Sequence, residues 1–170
     1  MDVTLLVMRL LHIVLGAFWA GTLIFNALYL QPSLRDAGPE GAKVVAGLMK
    51  RRFLDVMPLV ALVTILAGLW LYWRVSGGFQ ATYMRSVTGM TFGLGALAAL
   101  TAFAIGVGIM RPSLLRAAAL SQAASQAAAP ERDAQLATAQ ALRQRAATAG
   151  RAVAALLAFT VACMALARYL

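Results

Sequence analysis

The sequence predicts an all-α fold: an integral-membrane, four-helix antiparallel bundle made of two tandem helical hairpins. Three observations carry that expectation. Of the 170 residues, 62% are hydrophobic and only 12% are charged, too little polar surface to keep a domain of this length in water. Four stretches, about 10–30, 56–73, 87–110 and 152–167, approach the roughly 20 apolar residues a helix needs to cross a bilayer core of about 30 Å. A short motif also recurs, as "YLQPSLRDAGPEGA" (29–42) and "IMRPSLLRAAA" (109–119).

Span 1 follows "MDVTLLVMR", which has one acid and one late arginine. Its apolar run is too long for the core of a cleavable signal, so it is expected to remain as the first helix. Span 1 ends at the first Pro-Ser-Leu segment, and Pro39-Glu40 then reads as a helix start leading through "KRRF" into span 2. Trp70, Tyr72, Trp73 and Tyr83 gather where span 2 ends and span 3 approaches, as an interfacial aromatic belt does. Span 3 carries Gly89, Gly93 and Ala96 at helical spacing, a face for close packing. Beyond the second Pro-Ser-Leu lies an Ala-, Gln- and Leu-rich segment, about 112–150. Its composition favours helix. It is expected to form a helical hairpin turning near Pro130, with Leu114, Leu120, Leu136 and Leu142 as a sparse apolar seam and Ala filling the rest.

Charge sets the expected orientation. Arg35, Lys43, Lys50, Arg51 and Arg52 lie between spans 1 and 2, and Arg111, Arg116, Arg132, Arg143, Arg145 and Arg151 between spans 3 and 4. Only Arg9, Arg74, Arg85 and Arg168 lie on the other side. The positive-inside rule then places both larger loops in the cytoplasm of a bacterial inner membrane, with both termini periplasmic. A net charge of +9 is thereby explained by topology and an anionic lipid surface, and nucleic acid is not the expected partner. The bilayer is; other membrane subunits or self-association come second. Cys163 is the single cysteine, so no internal disulfide can form.

His12 is the single histidine and sits within an apolar run, where a polar group is costly and often functional. Met8 is on the same helix face four residues earlier. Met90 lies five residues inward of Arg85, and Cys163 and Met164 about one turn inward of Arg168. These five reach a similar depth in the outer leaflet, and thioether, thiol and imidazole together suit Cu(I). An imidazole bonded to a neighbouring carbonyl and serving structure alone fits the same facts. Bis-histidine haem is excluded within one chain, whereas histidine–methionine ligation is not. Asp55 reads as a helix-start acid paired locally with Arg51 and Arg52. No nucleophile–base pair, carboxylate pair or nucleotide loop is present, so no enzyme is expected.

The stretch "HIVLGAFWAG", with His12 seven residues before Trp19 and then Gly21, resembles the first helix of small CopD-like membrane proteins, four-helix relatives of the copper-resistance D domain. The following "PSLRDAGPEGAKVVAGLMKRRF" is similar to their loops. The resemblance implies an inner-membrane bundle linked with copper handling or haem binding, and carries over His12 and the adjacent Met8. The neighbouring HemJ type of haem protein has a further histidine that this chain lacks. The second expectation is a non-catalytic accessory subunit of a larger respiratory, photosynthetic or transport complex. The Gly/Ala faces and the Ala-rich hairpin motivate it.

Overall fold

A computed structural model describes residues 2–170, and all regular structure in them is helical. Helix α1 (Val3–Asp36) starts where the Asp2 carboxylate accepts a bond from the Leu5 N–H. Helix α2 (Pro39–Lys50) is short and follows a turn at Gly38, whose φ of 54° suits glycine. Helix α3 (Phe53–Val75) comes next, then a single turn α4 (Ala81–Met84). Two long helices complete the chain, α5 (Val87–Ala124) and α6 (Ala129–Tyr169). Ser86 caps α5 by accepting from the Gly89 N–H at 3.1 Å. Four of these helices, α1, α3, α5 and α6, are long and apolar enough to cross a membrane. Their outward residues include Leu10, Ile13, Leu59 and Leu97, each more than 60% exposed, an exterior suited to hydrocarbon rather than water.

The helices run beyond the expected spans. Span 3 and the first arm of the Ala-rich segment form one helix, as do the second arm and span 4. The turn between the arms falls at residues 125–128, just ahead of Pro130, which occupies the first turn of α6. The seam departs from expectation at one residue. Leu114, Leu120 and Leu142 are half-buried, whereas Leu136 is 43% exposed. The fully buried residues of the seam include Ala117, Ala124, Ala139 and Ala146, small side chains that suit close helix contact.

Contacts fix the packing directions. His12 meets Thr64 and Gly68, while farther along α1 Leu23 faces Met57 and Pro58, so α1 and α3 are antiparallel. Gly95 lies against Cys163, Gly150 against Met110, and Arg143 reaches Ser121; α5 and α6 are antiparallel as well. All four long helices contribute to one core, which includes Trp19, Ala61, Ala102 and Leu157.

Both Pro-Ser-Leu segments share one local structure. A π turn, Asn26–Leu30 in α1 and Gly106–Met110 in α5, precedes each proline, with the Gln31 N–H bonded to the Asn26 carbonyl and the Arg111 N–H to the Gly106 carbonyl. Proline inside a helix removes a backbone donor and crowds the carbonyl four residues earlier. Widening the preceding turn relieves that clash without ending the helix.

A third proline is accommodated from another helix. Pro58, in the second turn of α3, has no N–H to offer the Leu54 carbonyl. Arg111 Nε, from α5, donates to that carbonyl at 3.1 Å, and its Nη2 donates to Asp55 Oδ1 at 2.7 Å. Local pairing of Asp55 is present only with Arg52, at 3.6 Å. The shorter bond comes from 56 residues away in sequence.

Arg111→Ala should cost about 1 kcal/mol by leaving the Leu54 carbonyl unbonded, a fall of roughly 2–4 °C in the melting temperature of detergent-solubilised protein. In a Pro58→Ala background, which restores the missing donor, that loss should shrink. Separately, a Cβ on Gly95 would stand 2.9 Å from the Cys163 Cβ, whereas one on Gly21 meets nothing within 4 Å. Gly95→Ala should therefore lower the melting temperature, and Gly21→Ala should leave it unchanged.

Candidate functional site: a cavity at the terminal end of the bundle

At the end of the bundle that carries both termini, the four long helices part around a cavity of about 930 Å³. Its walls are apolar, and many inward residues are small, among them Gly16, Ala17, Gly68 and Ala96. Trp19, Ala20, Ile65, Ala99 and Leu157, which belong to the core, also line it and form its floor. Small residues at the level where larger ones would close the core create the space. The volume lies near the top of the roughly 300–1,000 Å³ usual for small-molecule and cofactor sites.

His12 lines this cavity. Its ring rests on Gly68, where an added Cβ would lie 2.6 Å from Cε1 and 2.8 Å from Nδ1. The glycine is what admits the imidazole to the α1–α3 seam. His12 Nδ1 lies 2.9 Å from the Thr64 carbonyl oxygen. A carbonyl only accepts, so the proton of this bond is on Nδ1, and the lone pair of the neutral ring is on Nε2. Among the described residues Nε2 has no hydrogen-bond partner, and it is not sealed within the protein. An Nδ1–H held by a carbonyl is the arrangement that orients an imidazole for ligation through its other nitrogen.

The hydroxyl groups of the wall are committed within the bundle. Thr64 Oγ1 donates to the Val60 carbonyl at 2.8 Å, Tyr72 to the Gly89 carbonyl at 2.9 Å, and Thr160 Oγ1 to the Leu156 carbonyl at 2.9 Å. Histidine is thus the one lining residue that offers a nitrogen lone pair. Arg9, Arg74 and Arg168, from α1, α3 and α6, and the indole of Trp19 also line the cavity.

The candidate metal ligands are distributed as follows. His12 and Met164 line the cavity. Cys163 is buried at 7% exposure in the α5–α6 seam, and Cys163 and Met164 both reach Gly95. Met8 is half-buried on α1 and Met90 is 50% exposed on α5; neither lines the cavity. Among the described residues no group of three or more His, Cys, Asp or Glu converges. Sequence reading missed Gly68, whose signal was a lone glycine within span 2, and counted the three arginines only as markers of orientation.

The fold and this site define a multi-helix bundle, apolar outside, with an apolar cavity at one end that holds a single oriented imidazole. In comparisons with known proteins, the chain matches no family model, no curated protein and no solved structure.

The tautomer gives a direct test. In ¹⁵N spectra of the labelled protein, the neutral form of His12 should show Nδ1 as a protonated nitrogen and Nε2 as an unprotonated one. Gly68→Ala, which places a methyl where the ring lies, should abolish the Nδ1 bond and mix the two tautomers.

Proposed function

We propose that this is a multi-pass bacterial inner-membrane protein that holds a metal-bearing cofactor in its terminal cavity through His12 Nε2. In this reading the bundle is two tandem hairpins, and both termini and the cavity face the periplasm. The shared π turn and Pro-Ser-Leu of α1 and α5 support the tandem arrangement. Eleven of the fifteen Lys and Arg residues lie in the loops away from the termini, which supports the orientation.

The observation that carries the proposal is the Nδ1–Thr64 bond, which leaves Nε2 as an oriented donor beside a large apolar space. Copper and haem, the two groups implied by the CopD-like resemblance, fit that space differently. A bare copper ion would find His12 and Met164 on the cavity wall, and would leave most of about 930 Å³ unfilled. Haem is itself apolar over most of its surface and takes an axial ligand, which an imidazole nitrogen can supply. The size, the wall and the imidazole favour haem. When bound, such a group supplies redox or ligand-binding chemistry at its iron. The chain's own contributions are an oriented imidazole, a dry wall and backbone support through Thr64. This reading is of a binding protein, not an enzyme.

The test is to purify the protein in mild detergent from cells with adequate iron and copper, then measure absorbance and metal content. A Soret band that His12→Ala removes, while the variant stays folded by circular dichroism, is the expected result. Bound copper without a Soret band would replace haem with copper. Protein that reconstitutes with neither group would overturn the proposal.

A further inference from the structure

Three cations stand at one cavity without anions. Arg9, Arg74 and Arg168 come from three different helices yet line the same space. The ion pairs among the described residues are Lys43–Glu40, Arg52–Asp55, Arg111–Asp55 and Arg132–Asp133, and none involves these arginines. Arg168 has only the ring of Tyr169 beneath its guanidinium, at 5.1 Å. Asp2, an acid near this end, accepts from the Leu5 N–H at the start of α1. All three side chains are exposed at the terminal rim of the space, where like charges gathered around one apolar cavity repel one another and raise the local potential for an anion.

We infer that these arginines are an anion clamp, and that the cavity takes an amphiphile with an apolar body and carboxylate or phosphate groups at its terminal end. Guanidinium binds either group through paired N–H bonds. The apolar body would lie against Trp19, Ile65 and Leu157, and the acid groups would be held by the arginines. This rests on the cavity being the binding site, as proposed above, and does not require a metal.

The probes are metal-free protoporphyrin IX, which has two carboxylates, and its neutral dimethyl ester. Each is titrated against the full chain in zwitterionic nanodiscs, with quenching of tryptophan emission as the readout, since Trp19 lines the cavity. The free acid should bind at least about ten-fold more tightly than the ester. The triple variant Arg9→Gln, Arg74→Gln, Arg168→Gln should erase that preference. The corresponding triple Lys variant should keep part of it and serves as a control for folding. His12→Ala should leave the preference intact, because the probe has no metal, so loss of haem binding in that variant would be a separate result. Displacement of the acid by phosphatidic acid, but not by phosphatidylcholine, would identify a lipid headgroup as the source of the anion. A lack of displacement would assign it to a carboxylate-bearing ligand. Equal affinity for acid and ester, a preference that survives the Gln triple, or no binding of either probe would overturn the inference.

Discussion

Backbone polar groups without a partner are the constraint from which the rest of this structure follows. A carbonyl that loses its helical donor must find another partner, in the protein or in solvent. Three prolines, Pro32, Pro58 and Pro112, remove such donors inside long helices. Two are absorbed locally, by widening the preceding turn into a π turn. The third is answered across the bundle by Arg111, whose Nε bonds the Leu54 carbonyl. One guanidinium therefore does two jobs at that helix end, completing the backbone of α3 and neutralising Asp55. It also ties α3 to the helix that begins the second half of the chain.

The same demand shapes the other end of the bundle. Thr64, Tyr72 and Thr160 return their hydroxyl protons to carbonyls, and His12 bonds the Thr64 carbonyl through Nδ1. That carbonyl has two lone pairs and can serve its own helix as well as the imidazole. What is left over is chemically specific: one unbonded ring nitrogen on a histidine that lines the cavity, and three guanidinium groups outside any ion pair among the described residues. Small residues make both possible. Gly68 admits the ring and Gly95 admits the Cys163 side chain, while the alanine seam of the extended arms brings α5 and α6 into close contact beyond the apolar spans.

Much of the fold could be read along the chain. Hydrophobic runs and helix propensity are local properties, so four long helices, the helical Ala-rich arms and the proline-marked motif were legible from residues alone. The seam between the arms was legible except at Leu136. Leu114, Leu120 and Leu142 are half-buried, but the rotation of the second arm leaves Leu136 exposed and buries Ala139 instead. Asp55 shows a similar limit: neighbours in sequence offered partners, and the shortest bond came from a different helix.

By itself the sequence determined that this is a helical protein with an apolar exterior, that its basic residues fall mainly in two loops, and that a single imidazole sits within an apolar run. Those facts depend on composition and on order along one helix. Tertiary structure alone decided that His12 rests on Gly68 with Nε2 free, that Met164 shares its cavity while Cys163 turns into a seam, and that Arg9, Arg74 and Arg168 meet around one space. The reason is geometric. Depth along a helix can be counted in residues, but which way a side chain faces across the bundle depends on how each helix is rotated against its neighbours. That rotation is set by the fit of all the small and large residues together.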